Sequence, residues 1–232
     1  MCGRIVQLSH PDAIARLFAT AGPPPNAPAR RNAAPGQDLM AVRQHPQTGG
    51  RRLDLLRWGL IPSWATDARI AWKLINARSE TAHATPAFRD AWRRRRCLVP
   101  VDAFYEWRPE GKLRQPYAIA RPDRAPFALA GLWEWWKDPA GGGEVRTFTI
   151  LTTQANARLA PLHHRMPVVV PPERWAAWLD PASAPPDGIA APRPDDELEA
   201  WPVSTRVNSA ANDDPGMLDP LPAGGPLQDA AR

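Results

Sequence analysis

Proline sets the first limit on how this chain can fold. The stretch GPPPNAPARRNAAPGQ, residues 22–37, carries prolines at 23, 24, 25, 28 and 35. A proline ring fixes φ and removes a backbone donor, so this stretch can be neither helix nor central strand. A second such stretch, ASAPPDGIAAPRPDD at 182–196, reads as loop or linker. Between these breaks only short elements fit. Short helices are expected at 11–19, opened by Pro11, at 86–95, and at 172–179, opened by Pro172. Residues 38–45 and 53–57 read as a hairpin pair around PQTGGRR, and 58–69 as an aromatic loop. Strands are expected at 97–101, 103–108, 116–121, 127–134 and 145–152, the last two joined through the glycine-rich PAGGGE. Strands and short helices without βαβ alternation imply one α+β domain around a curved antiparallel or mixed sheet. The two proline-rich loops are not domain boundaries, because strand-like segments on both sides need partners. A domain over 1–220 and a disordered tail at 221–232 are expected.

With 232 residues, 44% of them hydrophobic, the chain can bury a substantial core. No run approaches the roughly 18 apolar residues of a membrane span, and no signal pattern opens the chain. Two cysteines without pairing logic point to a reducing, cytoplasmic setting. The net charge is +5, carried mainly by arginine, which suits bidentate phosphate contact. Eleven tryptophans are unusual; most belong to the core, and a few beside arginines would suit base stacking.

Five local patterns can carry chemistry. Cys2 follows the initiator methionine directly. Chain ends fray, which makes residue 2 poor ground for a structural thiol. Removal of Met1 would give Cys2 a free α-amine and a thiol, with ordinary pKa values of about 7.7–8.0 and about 8.5, both partly nucleophilic near neutrality. Such an aminothiol condenses with an aldehyde and closes a five-membered ring. A buried or incidental cysteine is the alternative. In KLINARSET (73–81), Asn76 and Arg78 face a pocket, or else a strand end passes into a helix N-terminus capped by Ser79. In VPVDAFYEW (99–107), Glu106 sits between aromatics; it is either a proton-transfer carboxyl with a raised pKa or a solvent-facing strand residue. In LHHRMPVVV (162–170), one histidine is a proton shuttle or a structural group. The run RRRR at 93–96 is a solvated face or a phosphate contact. No zinc spacing, phosphate loop or CxxC occurs, so neither metal nor cofactor is expected.

Taken in order, these pieces resemble one family. Cys2-Gly3-Arg4, Asn32-Ala33-Ala34-Pro35, Trp58-Gly59-Leu60-Ile61-Pro62, Ile75-Asn76-Ala77-Arg78-Ser79-Glu80-Thr81, Phe104-Tyr105-Glu106-Trp107 and His163-His164-Arg165-Met166-Pro167 are similar to motifs of the SOS-response-associated peptidase (SRAP) proteins. WPVSTRVNSAANDDP, near the C-terminus, resembles that family's ending. The resemblance implies a β-barrel-like core with flanking short helices. It implies a sensor of abasic sites in single-stranded DNA, in which the exposed cysteine forms a thiazolidine with the ring-opened sugar. By residue match Cys2 is the nucleophile, Asn76 positions the reacting group, Glu106 handles protons and His163 assists sugar opening. Arg4, Arg78 and Arg165 would contact phosphates, Trp64 would stack on a base, and Asn32, Pro35 and Thr152 would line the pocket. Arg31 stands where many relatives carry an aromatic residue, and Ala103 where many carry glycine. The implied partner is single-stranded DNA bearing abasic sites, met by a monomer with no membrane attachment. Lyase activity and peptidase activity on its own terminus are associated possibilities.

Two other classes remain. An N-terminal-nucleophile amidohydrolase also begins with cysteine, but it uses an Asn-Gly pair, and no Asn-Gly occurs here. A passive single-stranded-DNA-binding module would need the tryptophans and arginines but not Cys2.

Overall fold

The computed structural model describes residues 2–111 and 113–222. The expected tail lies outside the described residues except for its first two positions. Five strands close on themselves: β3 (Asp38–Gln44), β4 (Arg51–Trp58), β6 (Arg96–Val101), β9 (Phe127–Lys137) and β10 (Glu144–Gln154). The order runs β10-β4-β3-β6-β9 and returns to β10. All pairings in this ring are antiparallel except β4 with β10, so the barrel is mixed, in line with the α+β expectation. β5 (Asn76–Arg78), β11 (Arg165–Pro167) and β12 (Val169–Val170) extend it. A second sheet, ordered β13-β8-β7-β1-β2, packs against it. Its strands are β1 (Ile5–Gln7), β2 (Arg30–Ala33), β7 (Ala103–Glu110), β8 (Leu113–Ala120) and β13 (Glu199–Pro202).

The prolines shape this arrangement more subtly than the sequence suggests. β2 does form inside the 22–37 stretch, between Pro28 and Pro35, and it takes the sheet edge, where missing donors cost nothing. Pro100 lies in β6, beyond the two residue pairs that β6 makes with β3. There the buried Gln7 side chain replaces the ladder. Its Nε2 donates to Pro100 O at 2.7 Å and Met40 O at 3.0 Å, and its Oε1 accepts from Met40 N at 2.9 Å.

The helices are shorter than the apolar spacing suggests. α1 spans Pro11–Leu17, burying Ile14 and leaving Leu17 exposed. α2 spans Arg89–Arg94, and the third is a 3-10 turn at Pro172–Arg174 followed by α3, Trp175–Leu179. The arginine run divides. Arg93 and Arg94 are exposed, and Arg95 pairs with the buried Glu134. Arg96, 2% exposed, donates to the carbonyls of Trp92, Arg93, Trp178, Asp180 and Ser183. It thereby satisfies the C-terminal ends of α2 and α3 together.

One connection positions the functional region. β4 runs parallel to β10 as far as Trp58, opposite Phe148. Gly59, at φ +118°, then turns the chain away; a Cβ there would stand 2.9 Å from Ala71 O. The excursion returns as β5 and rejoins β10 further along, with Asn76 opposite Ile150. The fully buried Trp58 links the two segments, because its Nε1 donates to Ile75 O at 2.9 Å. No helix among the described residues is long and apolar enough to cross a membrane.

Candidate functional site

Residue 2 is held, not frayed. β1 pairs with β7, and the pairing continues toward the terminus, since Tyr105 N donates to Arg4 O at 3.1 Å. Asn76 Nδ2 donates to Cys2 O at 2.7 Å. Cys2 is fully buried in the main core with Trp58, Phe148, Ile150 and Met166. This departs from the partly ionised thiol that an open chain end implies. Burial pushes the Cys2 thiol well above its usual range, and the Glu106 carboxylate raises it further. At neutral pH the sulfur therefore carries its proton.

Asn76 is placed by β5 and the Trp58 link. Its amide nitrogen is engaged with Cys2, while its Oδ1 is buried with no hydrogen-bond partner among the described residues. Glu106 lies inside β7, opposite Tyr117 on β8, and is 4% exposed. Burial raises its carboxyl from the ordinary 4.5 to about 7. Of the two sequence readings, the solvent-facing one does not describe this side chain.

His163 precedes β11 and is half-buried. Its Nδ1 faces both the N–H of Arg165, at 2.9 Å, and the carbonyl of Arg165, at 3.2 Å. The N–H can only donate, so Nδ1 accepts and the ring proton sits on Nε2. Burial lowers the His163 pKa, which keeps the imidazole neutral at pH 7. The ring stacks on His164 with centroids 4.3 Å apart.

β10 carries Thr152 between Arg78 on β5 and Pro167 on β11. Thr152 is fully buried, and its Oγ1 accepts from Arg165 Nε at 3.2 Å. Arg165 is 8% exposed and reaches Glu80 with both terminal nitrogens, at 3.0 and 2.9 Å. That pair holds the Glu80 carboxyl below its usual range. Here the Arg165 guanidinium faces a carboxylate, so a phosphate would have to share or displace Glu80. Arg78 is exposed, and Arg4, half-buried, donates to Asn208 O at 3.1 Å.

Asn32 is turned elsewhere. It is 2% exposed, and its Nδ2 donates to Val207 O, Ser209 O and Asn212 O at 3.2, 2.9 and 2.9 Å, tethering the C-terminal segment. Asp213 answers from that segment by accepting from Asn32 N at 3.0 Å. Pro35 is half-exposed, and Trp64 is 58% exposed. The fold thus gathers Cys2, Asn76 and Glu106 around the terminus, and places Arg78, Thr152, Arg165 and His163 on β10 and its flanks. The Arg165–Glu80 pair had no sequence signal, as 85 positions separate the partners. No group of three or more His, Cys, Asp or Glu side chains among the described residues could hold a metal ion.

The sequence model of the SOS response associated peptidase (SRAP) family matches residues 1–210. The abasic site processing protein YoqW of Bacillus subtilis (strain 168) is 38% identical over 225 residues, covering 94% of this chain and 99% of that protein. The abasic site processing protein HMCES of Gallus gallus is 32% identical over 211 residues, covering 81% of this chain and 63% of that one. A crystal structure of a Bordetella bronchiseptica protein superimposes with a TM-score of 0.73 at 30% identity, covering 88% of this chain and 100% of that chain. One from Bacteroides thetaiotaomicron has the same fold, with a TM-score of 0.83 at 24% identity, covering 95% of this chain and 100% of that chain. Matched by the family model over nearly all its length, and following a relative from end to end, the chain belongs to the SOS response associated peptidase family.

Proposed function

We propose that the protein recognises abasic sites in single-stranded DNA and captures them covalently through Cys2 once Met1 is removed. The observation that carries this reading is the arrangement at the terminus: Asn76 Nδ2 donates to the Cys2 carbonyl at 2.7 Å, and the buried Glu106 carboxyl acts electrostatically on the Cys2 thiol. The names of the relatives, abasic site processing proteins, supply the substrate class.

The chemistry follows from the groups present. Neutral His163 presents an Nε2–H donor that suits a hydrogen bond to the sugar ring oxygen as the ring opens; the anomeric hydroxyl proton passes through solvent to that oxygen, which leaves the aldehyde and a hydroxyl. The Cys2 α-amine adds to the aldehyde carbon and gives a carbinolamine. Glu106, with its pKa near 7, donates a proton to the departing hydroxyl; water leaves, a protonated imine forms and Glu106 becomes a carboxylate. The Cys2 sulfur then adds to the imine carbon. Its proton passes to the Glu106 carboxylate while the C=N electron pair returns to the nitrogen, leaving a thiazolidine, Glu106 protonated again and the one water already released. A thiol kept protonated by burial needs such an acceptor, and a carboxyl near pKa 7 can serve as acid first and base afterwards. The unpartnered Asn76 Oδ1 suits a hydrogen bond from the amine. Strand cleavage through the imine and self-removal of Met1 are side activities of the same site. The protein acts as a cytoplasmic monomer on DNA.

The test mixes the protein with a single-stranded oligonucleotide carrying a true abasic site and looks for a shifted band that survives denaturation. Protein whose first residue is verified as Cys2 should form it. Protein retaining Met1 or a tag should not, because an amide nitrogen cannot form an imine. An adduct from the blocked terminus would overturn the thiazolidine reading. Full abasic-site protection by Cys2→Ala would favour a passive DNA-binding module.

A further inference from the structure

Trp72 has the most exposed large apolar side chain among the described residues, at 65%. It lies in the 3-10 segment Ala68–Lys73, within the excursion between Gly59 and β5. Its ring is braced but not covered. A Cβ on Gly36 would stand 3.0 Å from Trp72 Cη2, so the outer edge of the six-membered ring rests where glycine leaves room. Gly36 is itself anchored, with φ +88° and its N–H donating to Trp58 O at 2.7 Å. The backbone therefore fixes an indole whose surface stays largely in water, which folding alone does not favour.

The surroundings indicate what covers it. Pro35 precedes the bracing glycine, Lys73 follows Trp72, and Asn76 and Arg78 come next on β5. Among the described residues, no acidic side chain pairs with Lys73 or Arg78. An open aromatic surface followed along the chain by the exposed cations Lys73 and Arg78 matches the pattern that binds unpaired bases along a phosphate chain. We propose that Trp72 is a stacking platform for an unpaired base adjoining the abasic nucleotide, additional to Trp64. This rests on the abasic-site reading and names a second contact for the same strand.

The test is a cycle between side chain and base. The probe is a single strand carrying one tetrahydrofuran abasic analogue, which has no aldehyde, so affinity is read without crosslinking. In a panel of such strands, one neighbouring base at a time is replaced by a second tetrahydrofuran. Trp72→Ala should weaken binding to the parent strand by about 5- to 150-fold, the range of one base–aromatic stack. At one neighbouring position, loss of the base should cost the wild type a similar factor and cost Trp72→Ala nothing more. Trp72→Phe should retain most of this coupling. No loss on the parent strand, or equal further losses at every position, overturns the assignment. Failure of the abasic-site reading shows separately, as absence of a denaturation-resistant adduct between unmodified protein and the aldehyde-bearing strand.

Discussion

Replacing Glu106 with glutamine should stabilise the protein while stopping its chemistry, and the gain should depend on pH. Burial lifts the carboxyl from 4.5 to about 7. The folded state therefore holds the proton more tightly than the unfolded chain. Stability from this group is fully present below about pH 4.5 and is lost as pH rises through about 7. At roughly 1.4 kcal/mol per pH unit, the full cost of ionising Glu106 in place is about 3 kcal/mol. It should be below about 1 kcal/mol at pH 5 and close to its maximum at pH 8. Glutamine has nearly the same shape and never ionises. Urea unfolding of wild type and Glu106→Gln at pH 5 and pH 8 reads the difference directly. The variant should gain about 2–3 kcal/mol over wild type at pH 8 relative to pH 5. Any effect of swapping a carboxyl oxygen for an amide is common to both pH values and cancels. A difference that stays constant from pH 5 to pH 8 would refute the raised pKa, and with it the dual acid–base role. Crosslinking by the variant should fall by about 10²–10⁴-fold.

Three further outcomes are expected. Asn76→Ala removes the bond to Cys2 O; single-turnover crosslinking should slow by roughly 100-fold through misplacement of the terminus, at a stability cost of about 1 kcal/mol. Arg96→Met leaves buried carbonyls at the ends of α2 and α3 without donors, so denaturant unfolding should show a loss of at least about 3 kcal/mol. Arg78→Ala should make the slope of log affinity for a single strand against log salt shallower by about 0.7, and an unchanged slope would remove Arg78 from the phosphate path.

The order of elements was legible because it rests on local physics. Alternating apolar runs, glycine-rich turns and proline punctuation placed the β3–β4 hairpin and the strands from β6 to β10 within a few residues. Short motifs, read together, identified the family. β1 and β13 carried too little local pattern to be seen; they are strands because β7 and β8 offer them edges. Closure of the barrel likewise rests on β4 and β5 taking successive stretches of one edge of β10, a long-range pairing with no local trace. The site shows the same division. Which residues bear the chemistry was readable, since Cys2, Asn76, Glu106 and His163 stand in recognisable motifs. What each is disposed to do came from the tertiary structure. Burial keeps the Cys2 thiol protonated, tunes Glu106 to about 7 and holds His163 neutral, while Glu80 occupies Arg165 from 85 positions away. A pKa or an ion pair depends on solvent access and on neighbours brought in by folding, and neither is a property of a residue in sequence.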